Sequence, residues 1–199
     1  MLLSLSRKFI FVANLKTASS AIEAALAPKA EVRFTQTQFG KHDGLSGISN
    51  KFHWIKRHVP YEDFFVFAVV RDPVDYLLSL YNSHNKPEFD GKIHSTKGMS
   101  FDEFLDVWCG RSWQAKPQHL RFTDSHGRLK LSHLVLYDDL ADEFGQICVR
   151  LKLGGIALGH KNPSPAVLTR GDLTATQLAQ VRERYAEDYA WLENRPRAL

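Results

Sequence analysis

The apolar positions of this chain gather into three short, solid runs. Each is followed by a polar turn and then by apolar positions three and four apart. The first run is Phe9-Ile10-Phe11-Val12-Ala13, ahead of the helix-like Ala21-Ile22-Glu23-Ala24-Ala25-Leu26. The second, residues 64–70, is apolar on both alternating faces, which suits a strand buried in the middle of a parallel sheet. Asp72 behind it is a good N-cap, Pro73 fits the first helical position, and Asp75 adds negative charge to the first turn. That helix continues through Tyr76, Leu77, Leu80 and Tyr81. The third run is His133-Leu134-Val135-Leu136-Tyr137, and its helix carries Leu140, Phe144, Ile147, Cys148 and Leu151 on one face. Repeated strand–turn–helix units with short connections predict an α/β fold: a central parallel sheet with helices on both faces. In such sheets ligands sit beyond the carboxyl ends of the strands.

The remaining pattern is less regular. Residues 31–34 read as a short strand, and the glycine-punctuated stretch 40–47 as a loop that exposes Lys41, His42 and Asp43. Residues 84–97 are polar and read as an exposed loop over one edge. Ser100 with Glu103 and Thr174 with Gln177 fit capping boxes. The first opens a helix reaching Trp108, with Phe101, Phe104 and Trp108 as core. The second opens a last helix with Val181, Tyr185, Tyr189 and Leu192 turned inward. The prolines at 163 and 165 make the segment around them irregular. Trp113, with Arg111 and Lys116, reads either as a groove wall or as plain surface. Neither a repeat nor a linker divides the chain, so residues 1–199 are expected to form one domain.

Composition narrows the function classes only slightly. A length of 199 residues, 44% hydrophobic and 24% charged, is that of an ordinary globular domain with a sizeable core. The net charge of +4 favours an anionic ligand, but Lys and Arg are spread among acids rather than clustered, which excludes a nucleic-acid footprint. Cys109 and Cys148 match no metal spacing and read as small core hydrophobes. The apolar Met1-Leu2-Leu3-Ser4-Leu5 is too short for a signal segment, and no run approaches a membrane span. A cytoplasmic location is the default expectation.

The chemistry concentrates at two turns. Lys16-Thr17-Ala18-Ser19-Ser20 joins the first strand to its helix, an arrangement that offers backbone N–H groups and a positive dipole end to an anion. Lys16 adds a point charge, and Thr17, Ser19 and Ser20 add hydroxyls. The turn has no glycine and so is not a Walker A loop. It suggests a P-loop-like cradle around one phosphate rather than an arch over a triphosphate. The second turn follows the middle strand, where Arg71 precedes the helix. Ser79, close to two full turns after the Asp72 cap, returns to the face of the helix start, so Arg71 and Ser79 can meet one anion.

Two stretches, "FIFVANLKTASSAIEAAL" and "FFVFAVVRDPVDYLLSLYN", together resemble the cofactor-binding signatures of sulfotransferases that use 3′-phosphoadenosine 5′-phosphosulfate (PAPS). The resemblance implies that Lys16, Thr17, Ala18, Ser19 and Ser20 hold the 5′-phosphosulfate and that Arg71 and Ser79 hold the 3′-phosphate. "LVLYDDLADEF" and the short chain are similar to the carbohydrate branch, which includes uronosyl 2-O-sulfotransferases. "HKNPS" resembles the late loop that closes on the nucleotide, which brings Lys161 and Asn162 in as ligands. Asn14-Leu15 stands where the family carries a small hydrophobe and proline, and residues 93–131 match nothing in it.

The resemblance implies in-line sulfuryl transfer from PAPS to a hydroxyl, with 3′,5′-diphosphoadenosine (PAP) released and no metal called for. Positioning and charge stabilisation then carry the rate. Lys16 would neutralise charge growing on the bridging oxygen. The base is expected to be a histidine. His42 is the first choice, from the place of the catalytic histidine in this branch; His53, His58 and Glu62 follow. The acceptor is expected to be a carbohydrate. Rival readings are a nucleotide kinase and a non-catalytic module that keeps the pocket without the base.

Overall fold

The three apolar runs become the parallel strands of one sheet. The computed structural model describes residues 1–124, 126, 128, 130–159 and 166–199. In chain order the elements are β1 (Leu2–Ser4), β2 (Phe9–Val12), α1 (Ser19–Leu26), β3 (Val32–Arg33), α2 (Leu45–Lys51), α3 (His53–His58), β4 (Phe65–Val70), α4 (Pro73–His84), α5 (Phe101–Glu103), α6 (Cys109–Arg111), β5 (His133–Leu136), α7 (Leu140–Arg150), α8 (Ala175–Arg184) and α9 (Ala186–Glu193). They fall into two compact units. One comprises Met1–Val70, Gln118–Lys161 and Asn194–Leu199; the other Arg71–Pro117 and Asn162–Glu193.

The first unit contains the sheet, in the order β3-β1-β2-β4-β5. β4 runs parallel to both β2 and β5, with Phe9 opposite Phe65 and Phe67 opposite His133. The expected parallel sheet is therefore its centre, and an antiparallel pair extends one side. β1 runs antiparallel to β2, and β3 antiparallel to β1. The reason is length: the turn between β1 and β2 is far too short for the crossover that a parallel pair requires. The apolar piece at residues 1–5 thus supplies a strand that its shortness concealed.

β2 and β4 are buried along their whole length. From one face Phe9, Phe11, Phe65, Phe67, Val69 and Val135 meet Ile22 and Leu26 of α1, and Leu140, Phe144, Ile147 and Cys148 of α7, in a single core. The rings of Phe11 and Phe67 lie 5.2 Å apart at its centre. The free edge of β5 is covered by residues 195–197: Leu134 N donates to Pro196 O at 2.9 Å, and Arg197 bridges to His133. Covering a sheet edge removes a template for unwanted strand pairing. Cys109 and Cys148 are both free and buried, as core hydrophobes should be. Burial pushes the Cys109 thiol up to about 12. No helix among the described residues is long and apolar enough to cross a membrane.

In the second unit α4 buries nearly all of its length. Its half-exposed positions, Asp75, Ser79 and Ser83, form one stripe with the cap Asp72. The capping boxes at Ser100 and Thr174 both form. The helix behind Ser100 does not stay α-helical, however. Residues Phe104–Trp108 form a π-helical stretch, which turns Phe104, Leu105 and Trp108 inward together. Arg184 donates to the Leu105 carbonyl at 2.6 Å within that stretch. The last predicted helix breaks at Tyr185 into α8 and α9, so Val181 and Tyr185 are buried while Tyr189 and Leu192 are only partly so.

Residues 84–97 are not a loose loop. Thr96 is fully buried, receives on its carbonyl the Asn85 amide at 3.3 Å, and donates through its hydroxyl to Tyr81 O at 2.7 Å. Trp108 Nε1 donates to His94 O at 3.0 Å and Arg111 to Ile93 O at 2.9 Å. Polar composition marked the loop's surface but not its anchors.

Because Phe67 sits at the centre of the core with no exposure, Phe67→Ala should lower the unfolding free energy by about 3–5 kcal/mol. Denaturant titration would show a reduced midpoint with an unchanged slope.

Candidate anion site and base

The turn between β2 and α1 adopts a backbone that glycine normally supplies. Lys16 has φ 58° and Ala18 φ 55°, both left-handed. For residues with a Cβ this conformation costs about 1–2 kcal/mol each, and it persists only where surrounding structure enforces it. What it gains is direction. Left-handed residues followed by helical ones turn successive N–H groups towards one point, a concavity that suits an anion. Ala18 is the N-cap of α1 and offers no side-chain cap. Its carbonyl accepts from Ala21 N at 2.8 Å and Ile22 N at 3.1 Å, so Ser19 and Ser20 present the first-turn donors of the helix.

The enforcing residue is Asn14, which has no exposed surface. Its amide donates to Val69 O at 3.2 Å and to Gln118 Oε1 at 2.8 Å, while its Oδ1 accepts from Leu15 N at 2.8 Å. The Thr17 hydroxyl donates to Asn14 O at 3.2 Å. An amide with both N–H donors and its oxygen engaged therefore fixes this turn. Ser20 Oγ accepts from the Lys41 ammonium, which also pairs with Glu23 Oε2 at 2.7 Å. Lys41 thus brings a second cation to the head of α1.

His42 follows Lys41 in a short 3₁₀ turn, and its Nδ1 lies 3.2 Å from Ala13 O. A carbonyl only accepts, so Nδ1 carries the proton and Nε2 keeps its lone pair. Burial drives the imidazole from an ordinary 6.5 down to about 4; the bond to Ala13 opposes this, and Lys41 and Arg121 add to it. At neutral pH His42 is therefore a neutral acceptor. His58 and Glu62 are exposed, and the side chain of His53 lies outside the described residues.

Asp43, expected to be exposed, is buried at 3% and pairs with Lys51 at 2.7 Å. The loop reading of residues 40–47 missed α2, which starts behind Gly44 and buries Leu45 and Ile48. Gly44 lies so close to Arg121 that a Cβ would stand 2.8 Å from its carbonyl oxygen. This contact presses the segment after His42 into place.

In the second unit Arg71 and Ser79 are half-buried, Ser79 on the stripe that leads back to the start of α4. Asp72 Oδ1 caps that start, accepting from Val74 N at 2.9 Å and Asp75 N at 3.4 Å. Arg170 spans Asp72 and Asp75, with Nη2 3.1 Å from Asp75 Oδ2. Lys161 and Asn162 lie outside the described residues. Sequence reasoning missed Asn14 as a bracket, Lys41 as a partner of the helix start, and Arg170. Of the three, only Lys41 carried a signal, its place beside His42.

The stretch that builds the sheet and both turns is one that a known family shares. A family model described as the sulfotransferase family matches residues 3–151, most of the chain. The chain belongs to the sulfotransferase family, whose chemistry is the transfer of a sulfuryl group to an acceptor. No curated protein and no solved structure matches it.

Two measurements check this geometry. Ala18→Gly should raise stability by about 0.5–1 kcal/mol, because glycine adopts the left-handed backbone without strain; an unchanged or lower unfolding midpoint would contradict it. The second concerns His42. Its depressed value means that the unfolded chain takes up a proton the folded chain refuses. Its contribution is present above about 6.5 and is lost as pH falls towards about 4. Wild type should therefore lose stability relative to His42→Gln across that window, by an amount on the order of 3 kcal/mol.

Proposed function

We propose that this protein transfers a sulfuryl group from PAPS to a hydroxyl of a carbohydrate acceptor, by in-line displacement with His42 as base, and that residues 1–199 serve this reaction as one domain. The observation that carries the proposal is the glycine-free turn that holds Lys16 and Ala18 left-handed at the head of α1, next to a neutral imidazole bound to Ala13. A strained turn that converges N–H groups on one point fits a single phosphate better than a triphosphate. That favours a 5′-phosphosulfate over ATP and weighs against the kinase alternative.

The donor supplies a sulfuryl group already activated by its bond to the 5′-phosphate. The turn's N–H groups and the Ser19 hydroxyl bind that phosphate, and Lys16 neutralises the charge that grows on its bridging oxygen. Arg71 and Ser79 take the 3′-phosphate, and Lys161 and Asn162 are proposed as further nucleotide ligands. Nε2 of His42 accepts the proton from the attacking hydroxyl as the new S–O bond forms. An imidazole near 4 is a weak base, and an anionic donor close by raises it towards the working pH. The likeness to the carbohydrate branch supports a glycan acceptor, and a cytoplasmic setting stays part of the proposal.

Calorimetric titration with PAP, beside ATP and magnesium, tests the donor class. Lys16→Ala and Arg71→Ala should each weaken PAP binding by tenfold or more, about 1.4 kcal/mol. His42→Ala should keep PAP affinity within about twofold while sulfate transfer falls by about 10²–10⁴. Tighter binding of ATP with magnesium would replace this reading by a kinase. Turnover that survives His42→Ala would remove His42 as the base.

A further inference from the structure

Two aspartates open α4, and they sit badly with an anion site. Asp72 and Asp75 stabilise a helix start, since carboxylates favour the positive end of the dipole. The same two charges lie one and four residues from Arg71, on the stripe that carries Ser79. Left alone, they would oppose any phosphate brought to Arg71 and Ser79.

Arg170 answers both. Its Nη2 bonds to Asp72 Oδ1 and, at 3.1 Å, to Asp75 Oδ2, while its Nε donates to Asp75 Oδ1 at 3.3 Å. The arginine is not a loose surface side chain. The backbone on either side of it is fastened: Asn82 of α4 accepts from Val167 N at 3.0 Å and Leu168 N at 2.9 Å, and donates to Leu168 O at 2.8 Å. Behind it, Asp172 closes a capping box on Thr169. A half-exposed ion pair of this kind adds little to stability, typically below about 1 kcal/mol. Such careful placement points instead to a role in charge balance. Arg170 also lies beyond the stretch 3–151 over which the family model matches.

We infer that Arg170 is a positioning residue for the phosphate half-site at the start of α4: its fork neutralises Asp72 and Asp75, so that the two carboxylates do not oppose a 3′-phosphate brought to Arg71 and Ser79. The inference rests on the nucleotide reading above and deepens it, because it assigns the discrimination between 3′-phosphorylated and plain adenosine nucleotides to a residue that touches neither.

The test is calorimetric affinity for PAP and for adenosine 5′-phosphosulfate, which lacks the 3′-phosphate. It compares wild type, Arg170→Ala, Arg170→Lys and the neutral triple variant Asp72→Asn/Asp75→Asn/Arg170→Ala. Asparagine remains a good N-cap, so the triple variant keeps the helix start. Arg170→Ala should lose about tenfold in affinity for PAP and less than about twofold for adenosine 5′-phosphosulfate. Arg170→Lys should keep most of the preference, and the triple variant should regain it. Equal losses for both nucleotides, or no recovery in the triple variant, would mean that Arg170 acts only by holding the fold, and would overturn the inference. A wild type that binds both nucleotides equally well would overturn the nucleotide reading itself, and this inference with it.

Discussion

The functional half of the sheet depends on one buried amide. The turn at Lys16 and Ala18 is held in a conformation that neither residue prefers, and such strain relaxes unless something opposes it. Asn14 opposes it with bonds to the exit of β4, to Gln118 and to the turn itself. Those bonds join β2 and β4 where their carboxyl ends meet the site. His42 is tied to the residue just before Asn14. The orientation of the His42 imidazole and the curvature of the turn at Lys16 and Ala18 therefore share one support. Loss of that amide would disturb both at once, whereas loss of Lys16 would remove a charge and leave the shape.

Charge is distributed in a second pattern. At α1 two lysines attend a helix start that has no acidic cap: Lys16 in the turn, and Lys41 through Ser20 and Glu23. At α4 the helix start is acidic and stable by itself, and a distant arginine compensates for it. The two helix starts thus set their local charge by opposite routes. One omits the carboxylates. The other retains them for helix stability and balances their charge.

Local rules made much of this legible. Solid apolar runs read as buried strands, because burial on both faces leaves no polar alternation. Pro73, Asp72 and the Ser100 and Thr174 boxes marked helix starts, because caps are set by a few adjacent residues. The long-range contacts were not legible. Nothing adjacent to Asn14 shows that its amide reaches Val69 and Gln118. Nothing adjacent to Arg170 indicates Asp72, 98 residues away. Short elements failed for another reason. β1 has three residues and α2 hides behind glycines, so neither offers enough periods to be read. Asp43 reads as exposed because its neighbours are polar, yet Gly47, where a Cβ would stand 2.1 Å from Asp43 Oδ1, leaves room for it to be buried against the chain.

The two units interleave along the sequence, and this shapes how the protein comes into being. The sheet is not complete until β5 is made, and the charge at the start of α4 is balanced only once Arg170 follows. On a ribosome that emits about 5–20 residues per second, the first seventy residues emerge as apolar strands without their last partner. For several seconds the nascent chain presents open strand edges and an acidic, uncompensated helix start. Neither unit is contiguous in sequence, so each is closed only by chain that is made after the other unit has begun.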